Sequence, residues 1–318
     1  EAKLLPADGS SYDYFGGSVA ISGNRALIGV YGDDDNGSNS GSAYVFNFDG
    51  STWQEEAKLL PSDGASHEKF GISAAISGDT LVVGAYTDDD NGVSSGSAYI
   101  YRFDGSTWQE EAKLLASDGA SYDVFGYSVA IDGDLVLVGA YWDDDNGQDS
   151  GSAYIYRFDG STWQEEAKLI ASDGTSPGHF GKSVAISGNL ALIGTPYGSA
   201  SGSAYIYRFD GKSWQEETKL IPSDGSDGAP DDYFGGSVAI SGNLALIGAQ
   251  DDDPAGNESG SAYIYRFDGN SWQEEAKLIA SDGASDARFG SSVSISGNLA
   301  LIGVRNDADN GSNSGSAY

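Results

Sequence analysis

The sequence contains no cysteine and no methionine, and only 16 of its 318 residues are lysine or arginine. Without cysteine there can be no disulfide framework, no thiolate metal site and no cysteine nucleophile. Neither the stability nor the chemistry of the protein can therefore depend on sulfur. The chain starts without an initiating methionine, a basic leader or an apolar signal segment, which indicates a mature form, a fragment or an excised domain.

Positive charge is scarce, because 48 acidic residues against 16 basic ones give a formal net charge of −32. Nucleic acids and anionic lipids require a basic surface, so we expect neither as a partner, and metal cations are the more natural counter-charge. The longest apolar runs are far shorter than the about 20 residues that cross a bilayer, so we expect no membrane insertion. Hydrophobic residues make up 39% of the chain, and aromatic residues make up 12%. This is more than a disordered acidic chain carries, so we expect the protein to fold around a large core.

What the chain does contain is an internal repeat. The pair Phe-Gly recurs at positions 15, 70, 125, 180, 234 and 289, in steps of 54 or 55 residues. Each copy reads in the same order, and we name its four segments A (Phe-Gly-x-Ser-Val-Ala-Ile-Ser), B (Leu-Ala-Leu-Ile-Gly-Ala), C (Gly-Ser-Ala-Tyr-Ile-Tyr-Arg-Phe) and D (Trp-Gln-Glu-Glu-Ala-Lys-Leu). No stretch has helical periodicity, so the repeats are expected to be built from strands.

Turn residues join these segments in pairs. Ser-Gly-Asn between A and B, and Asp-Gly between C and D, favour tight β-hairpins. Segment B is almost continuously apolar, which is typical of a strand covered on both faces, whereas the charges of segment D protect an edge strand. Segment A mixes small residues with Val and Ile, which fits the crowded inner edge where sheets converge.

These features predict an all-β fold, a six-bladed β-propeller of four-stranded antiparallel blades, with residues 1–318 as a single domain. The chain begins inside segment D and ends inside segment C. We therefore expect Glu1–Leu5 to form the outer strand of the blade that ends with Ser316–Tyr318, which would close the ring. The alternative is a set of six consecutive repeats cut from a longer array.

The motif Phe-Gly-x-Ser-Val-Ala, followed by the Leu-x-Gly-Ala element of segment B, closely resembles the FG-GAP repeat of integrin-α-like propellers. The phrases Glu-Ala-Lys-Leu, Ser-Asp-Gly-Ala and Asp-Asp-Asp-Asn-Gly make it most similar to the bacterial branch. The resemblance covers the whole chain and implies a propeller on an extracellular or cell-surface protein. It also implies a binding or adhesion scaffold, often with calcium in the blade loops, without implying one particular ligand.

The acidic residues depart from the integrin pattern. Integrin-like calcium loops carry an Asp-x-Asp-x-Asp-Gly run between A and B, where this chain has only the Ser-Gly-Asn turn, so that site cannot be carried over. An acidic run lies instead between B and C in every copy except the fourth. Alternate carboxylates of these loops can converge on one Ca²⁺, which prefers oxygen ligands. The predicted ligand pairs are Asp33 and Asp35, Asp88 and Asp90, Asp143 and Asp145, Asp251 and Asp253, and Asp307 and Asp309.

A second interpretation of these loops stays open. Asp, Asn and Gly are turn formers whose side chains satisfy their own backbone, so the acidity could serve turn geometry and solubility only. A further acidic position precedes four of the Phe-Gly pairs, as Asp13, Glu68, Asp123 and Asp232. These carboxylates either add a ligand to a neighbouring loop or act as solvated or capping groups.

Aromatic residues follow segment B in four copies, as Tyr31, Tyr86, Tyr141 and Tyr197, and Trp142 is unique to the third copy. Aromatic faces beside hydrogen-bonding carboxylates suit sugar or peptide recognition, which makes Tyr141 and Trp142 candidate ligand-binding residues. The alternative is that the tyrosines wedge between blades. The tryptophans that recur in segment D are expected to serve blade packing.

The sequence offers no catalytic constellation. The two histidines, His67 and His179, lie in variable loops, and neither a Ser-His-Asp set nor a phosphate-binding loop can be assembled. We therefore predict a non-catalytic extracellular or cell-surface scaffold for binding or adhesion, with calcium-stabilised loops and a protein or glycan ligand at a propeller face. The alternatives are an enzyme acting on polysaccharide and a structural subunit of a surface assembly.

Overall fold

The computed structural model describes residues 2–174, 176–198, 201–224, 232–309 and 311–318. The secondary structure of these residues consists of 23 β-strands in six sheets. Strands that follow one another in the sequence are neighbours in the sheet, so each sheet is a meander of segments A to D, and we number the sheets as blades 1 to 6. No helix in the described part of the chain is long and apolar enough to cross a membrane.

The chain divides into two compact units, and the first comprises residues 1–143 and 154–168. It contains blades 1 and 2 and most of blade 3. Blade 1 consists of β1 (Ser18–Ser22), β2 (Arg25–Val30), β3 (Ser42–Phe48) and β4 (Trp53–Leu59). Blade 2 consists of β5 (Ser73–Ser77), β6 (Thr80–Ala85), β7 (Ser97–Phe103) and β8 (Trp108–Leu114). Blade 3 consists of β9 (Ser128–Asp132), β10 (Leu135–Ala140), β11 (Ser152–Phe158) and β12 (Trp163–Leu169).

The second unit comprises residues 144–153 and 169–318 and contains blades 4 to 6. Blade 4 consists of β13 (Ser183–Ser187), β14 (Leu190–Thr195), β15 (Ser203–Phe209) and β16 (Trp214–Leu220). Blade 5 consists of β17 (Phe234–Ser241), β18 (Leu244–Ala249), β19 (Ser261–Phe267) and β20 (Trp272–Leu278). Blade 6 consists of β21 (Phe289–Ser296), β22 (Leu299–Val304) and β23 (Ser316–Ala317).

The predicted hairpins and the order of the strands are confirmed. In blade 1 the first hairpin pairs Ser22 with Arg25, and Gly23 at φ 58° supplies the left-handed residue that so tight a turn requires. Strand β6 is buried along its whole length, as expected of a strand covered on both faces. Segment D stands at one end of each four-stranded sheet, and the A strands at the other end contact one another within each unit.

The Phe-Gly phenylalanines are core residues in five of the six copies. Phe125 is fully buried, and its ring meets Tyr154 and Tyr156 of the same blade edge-on at centroid distances of 5.4 and 6.1 Å. Edge-to-face contacts of this kind add to the stabilisation that burial alone provides. The predicted burial of Phe125 is therefore confirmed.

A register shift between segments C and D determines which of their side chains lie opposite each other. The C and D strands shift register once, between Ile100 and Tyr101 in blade 2, as at a β-bulge. On one side of the shift, Tyr99 of segment C lies directly opposite Lys113 of segment D. The same shift recurs in blades 1, 4 and 5, so each of these blades places a tyrosine beside a lysine.

The predicted closing strand is wrong. Glu1 lies outside the described residues, and residues 2–5 form no strand. Blade 6 has three strands among the described residues, and its last segment pairs with β22 only over residues 316–318, so it offers a very short edge to an outer strand. Leu4 packs instead against the apolar cluster around Ile28 in blade 1. The all-β class and the six blades are confirmed, whereas closure by Glu1–Leu5 is not observed.

Candidate functional site

The acidic loop between segments B and C lies beside the lysine of segment D. In blade 2, Lys113 Nζ lies 2.7 Å from a carboxylate oxygen of Asp63, 2.8 Å from Asp88 and 2.7 Å from Asp90. Asp88 and Asp90 belong to the loop, and Asp63 belongs to the Ser-Asp-Gly turn that precedes segment A. We call a D-strand lysine together with the carboxylates around it a lysine cluster. It gives the acidic loops a counter-ion from the chain itself.

Asp88 is the most enclosed carboxylate of this cluster, with 2% of its surface exposed. Its Oδ2 accepts hydrogen bonds from Ser97 Oγ and Tyr99 OH, both at 2.9 Å, and also contacts the Lys113 ammonium. Its Oδ1 accepts a hydrogen bond of 3.0 Å from the backbone amide of Asp90. The buried charge is thus both paired and hydrogen-bonded, which is the condition under which a protein interior tolerates a carboxylate.

The pKa values of the cluster follow from this geometry. Burial lowers the pKa of Lys113, but the hydrogen bonds to Asp63 and Asp88 outweigh it and hold that pKa above its usual value. Burial likewise acts to raise the pKa of Asp63, and hydrogen bonds from Lys113 and Tyr99 outweigh it and lower that pKa. Burial is the main reason that the pKa of Tyr99 is raised. Lys113 and Asp63 therefore face each other as ions at neutral pH.

The lysine cluster recurs in three other blades, with distances between 2.5 and 2.9 Å. Its members are Lys58 with Asp8, Asp33 and Asp35 in blade 1; Lys168 with Asp118 and Asp143 in blade 3; and Lys277 with Asp224 and Asp252 in blade 5. Asp145 lies exposed in the loop of blade 3. The cluster is therefore a repeated element of the fold.

Blade 5 corrects the alignment of one predicted pair. The third residue after the B strand is Asp88 in blade 2 and Asp252 in blade 5. Asp252 is buried, at 3% exposure, as Asp88 is. Asp251 instead forms an ion pair with Arg288 at 3.2 Å. Asp253 Oδ1 accepts a hydrogen bond from the backbone amide of residue 258 at 2.7 Å. Asp251 and Asp253 are thus not the counterparts of the pairs in the other loops.

Two of the predicted ligand pairs, Asp33 with Asp35 and Asp88 with Asp90, already surround a lysine ammonium. Asp88 and Asp90 both contact Lys113, so a cation at the same place would have to displace its ammonium group. In the described ranges, no group of three or more acidic, histidine or cysteine side chains is arranged to hold a metal ion. Asp307 Oδ1 accepts a hydrogen bond of 3.2 Å from the Asp309 amide, and within the described residues no lysine contacts either carboxylate. Calcium binding stays a prediction.

The acidic residues that precede Phe-Gly act as caps. Asp13, Glu68 and Asp123 each accept a hydrogen bond from the backbone amide three residues earlier, at 2.5, 2.8 and 2.6 Å. The capping interpretation of these carboxylates therefore agrees with the geometry. Asp13 and Asp123 are buried, so they are capping groups and not solvated ones.

A continuous series of aromatic rings lies in the first unit. Tyr86 contacts Tyr127 at a centroid distance of 5.5 Å, Tyr127 contacts Tyr141 at 4.6 Å, and Tyr141 contacts Trp142 at 5.2 Å. We call these four residues the aromatic series. Tyr141 is 6% exposed and Trp142 is 39% exposed, so a buried tyrosine supports a tryptophan at the surface. Sequence reasoning missed Tyr127, although its place directly after a Phe-Gly pair, where the other copies carry smaller or charged residues, was a visible signal.

The residue before each Phe-Gly pair was also missed. In all six copies it has a left-handed backbone, with φ between 57° and 65°. Side chains other than glycine adopt this region at a cost, and they persist there only when the surrounding structure fixes them. The six residues are Tyr14, Lys69, Val124, His179, Tyr233 and Arg288. Bulky side chains of this kind give no sequence signal for a left-handed conformation.

Meander blades of strands A to D, repeated six times, define the chain as a β-propeller protein. The model of the family described as FG-GAP repeat matches residues 1–46, 53–101, 108–156, 163–207, 214–265 and 272–318, and the chain belongs to this family. FG-GAP propellers are generally non-catalytic, and the fold fits a binding or scaffold role. No curated protein matches the chain.

Proposed function

We propose that this protein is a non-catalytic extracellular or cell-surface scaffold that binds a protein or glycan through the aromatic series. The observation that carries the proposal is Trp142, a large apolar side chain that is 39% exposed and rests on the buried ring of Tyr141. A rigid, partly exposed aromatic ring is the type of side chain that dominates binding surfaces, because it offers a large contact area and loses little conformational entropy.

The repeats supply an internal comparison that supports this role. Segment D keeps Trp-Gln-Glu-Glu and Lys-Leu in all five complete copies, so positions that the blade needs are held constant. The position of Trp142 varies instead, and its counterparts in the other copies are Gly32, Thr87, Tyr197, Asp251 and Asn306. Since the blades share one fold, an exposed tryptophan at this position is not required for folding.

The sequence next to Trp142 suggests the chemistry of a ligand. Three aspartates, Asp143 to Asp145, follow it directly. The face of a tryptophan stacks on the apolar face of a sugar, while carboxylates accept hydrogen bonds from its hydroxyl groups. The same groups and the net charge of −32 would also favour a basic segment of a protein.

Calcium and location are further parts of the proposal. The acidity of the loops and the family membership support an extracellular scaffold with calcium in its loops. Lysine clusters compete with calcium in blades 1, 2, 3 and 5. We therefore expect calcium first at Asp307 and Asp309, whose carboxylates no described lysine contacts.

The test is a Trp142→Ala variant screened on a glycan array and on an array of basic peptides. We expect the wild-type protein to bind a defined subset and the variant to lose that binding. Tyr12→Ala is the matched control, because Tyr12 is 82% exposed and is not part of the aromatic series. Equal binding by Trp142→Ala and the wild-type protein would contradict the proposed surface. Release of reducing sugar from a bound polysaccharide would contradict the non-catalytic role.

A further inference from the structure

The residue before each Phe-Gly pair combines a fixed backbone with a variable side chain. Its backbone is left-handed in all six copies. In blade 2 this residue is Lys69, whose amide donates a hydrogen bond of 3.1 Å to Asn39 O and whose carbonyl oxygen accepts one of 3.2 Å from the amide of Ile72. Its counterparts include Tyr14 and Val124. The blade therefore determines where this side chain starts, and it does not determine which side chain stands there.

Lys69 extends the aromatic series at the end opposite Trp142. Its Nζ donates a hydrogen bond of 2.9 Å to Tyr86 OH and lies 5.2 Å from the centroid of the Tyr86 ring. Tyr86 in turn contacts Tyr127 at a centroid distance of 5.5 Å. Lys69, Tyr86 and Tyr127 are partly exposed. The series therefore offers aromatic rings and a positive charge to the same ligand.

Charge pairing distinguishes Lys69 from the lysines of the lysine clusters. Each of those lysines contacts at least two carboxylates. No carboxylate of the described residues forms an ion pair with Lys69. The neighbouring carboxyl group of Glu68 instead accepts a hydrogen bond of 2.8 Å from the backbone amide of Ala65. In a chain with a net charge of −32, the described structure thus leaves Lys69 without a direct counter-ion.

Hydrogen-bond donors remain available beside this lysine. An ammonium group has three N–H donors and no acceptor, so Tyr86 OH accepts the bond from Lys69 and its own hydrogen is left to donate. In the part of the chain that the structure describes, neither that hydrogen nor the other ammonium hydrogens have an acceptor. Donors on or next to a positive charge bind an anionic oxygen more strongly than a neutral one. Lys69 and Tyr86 are thus suited to an anionic group.

We propose that the ligand of the aromatic series is an acidic glycan, whose sugar rings pack on the aromatic rings and whose carboxylate or sulfate group accepts hydrogen bonds from Lys69 Nζ and Tyr86 OH. This inference rests on the proposed function for the place of binding and adds the class of ligand. A basic peptide would bring a second positive charge to Lys69, whereas an acidic sugar uses both the rings and the donors. Since the net charge of −32 repels anions at long range, binding depends on this local contact.

A glycan array with matched pairs tests the class of ligand. Each pair consists of a uronic-acid oligosaccharide and its methyl ester, or of a sulfated oligosaccharide and its desulfated form, so its members differ mainly in charge. We expect the wild-type protein to bind acidic members at least about tenfold more tightly than their neutral partners. The two kinds of pair distinguish a carboxylate from a sulfate. A bound set of neutral glycans only, or of basic peptides only, would overturn the proposal.

Three variants test whether Lys69 and Tyr86 supply the contact. Lys69→Met should weaken binding of the acidic glycan by about tenfold or more, whereas Lys69→Arg keeps the charge and should retain most of it. Tyr86→Phe removes only the hydroxyl group and should also weaken binding, which keeps the test valid if Lys69→Met fails to fold. Lys212→Met is the matched control, because this exposed lysine lies in blade 4 and its loss changes the net charge equally. Equal affinity of Lys69→Met and the wild-type protein would overturn the proposal.

The outcomes separate this inference from the proposed function. Binding that Trp142→Ala abolishes, but that shows no preference for acidic glycans, would keep the aromatic surface and refute the class of ligand alone. Acidic-glycan binding that Lys69→Met weakens and Trp142→Ala leaves unchanged would refute the aromatic surface and keep the anion contact. A wild-type protein that binds neither glycans nor peptides would refute both.

Discussion

Removing the ammonium group from the lysine cluster of blade 2 should cause a large loss of stability. Lys113→Met keeps the length and the apolar stem of the side chain, but leaves the carboxylates of Asp63, Asp88 and Asp90 without their counter-ion. Removing one partner of a buried ion pair costs roughly 3–5 kcal/mol. Asp63 and Asp90 are about half exposed, at 48% and 47%, so water screens their charges and the uncompensated charge is mainly that of Asp88. We therefore expect the free energy of unfolding to fall by about 3 kcal/mol, the lower end of this range.

Urea denaturation followed by circular dichroism measures this loss as a lower midpoint. The exposed Lys212 in the C–D turn of blade 4 supplies a control, and Lys212→Met should leave the midpoint unchanged. A second variant isolates the electrostatic contribution to this loss of stability. Adding Asp88→Asn to Lys113→Met removes the buried charge, so the double variant should be more stable than Lys113→Met by about 1–3 kcal/mol.

Two results would refute this reasoning. An unchanged midpoint for Lys113→Met would mean that the ammonium group is not the counter-ion of Asp88. A double variant less stable than Lys113→Met would mean that the loss comes from packing and not from charge. Calcium provides a further check, because Lys113→Met exposes three oxygen ligands to a cation and should gain more stability from added calcium than the wild-type protein does.

Three further predictions concern the core, a titrating carboxyl group and calcium. Phe125→Ala should lower the free energy of unfolding by about 3–5 kcal/mol, because Phe125 is fully buried, and an unchanged urea midpoint would contradict this. Burial raises the pKa of Glu68 to about 7 from its usual value of 4.5. The carboxyl group therefore ionises at a lower pH in the unfolded state, and stability should fall as the pH rises between these values. Glu68→Gln should reduce this fall in a thermal midpoint series, and the same pH dependence in both proteins would argue against it. Calcium at a hundredfold excess over its Kd should stabilise the folded protein by about 2.7 kcal/mol per site, and Asp307→Asn with Asp309→Asn should abolish part of that gain. Calorimetry that detects no saturable calcium binding to the wild-type protein would instead support the interpretation of the loops as turns.

Much of the fold could be predicted because its signals are local. A Ser-Gly-Asn turn brings two neighbouring segments together whatever surrounds them, and the apolar run of segment B requires cover on both faces. Repetition then extends one blade to six. The exceptional Trp142 was visible for the same reason, since five other copies show what its position ordinarily contains.

The counter-ion of the acidic loops was not visible in the sequence. Asp63 and Lys113 are 50 residues apart, and only the register shift between segments C and D brings the lysine opposite Tyr99 and so to the loop. Sequence reasoning offered an external cation or turn geometry as the role of the loop carboxylates, because it considered each loop without the distant strands. A cation supplied by a distant strand is a property of the assembled blade.

Tertiary structure also decided questions of position that the pattern leaves open. In a run of three aspartates the sequence cannot tell which one is buried, and in blade 5 it is Asp252, because a carboxylate is tolerated inside only where Lys277 and Tyr263 reach it. The sequence by itself determined six blades and the order of their strands, since these follow from turns and periodicity. Which charges meet, and whether residues 2–5 join a sheet, depended on contacts between segments far apart in the chain.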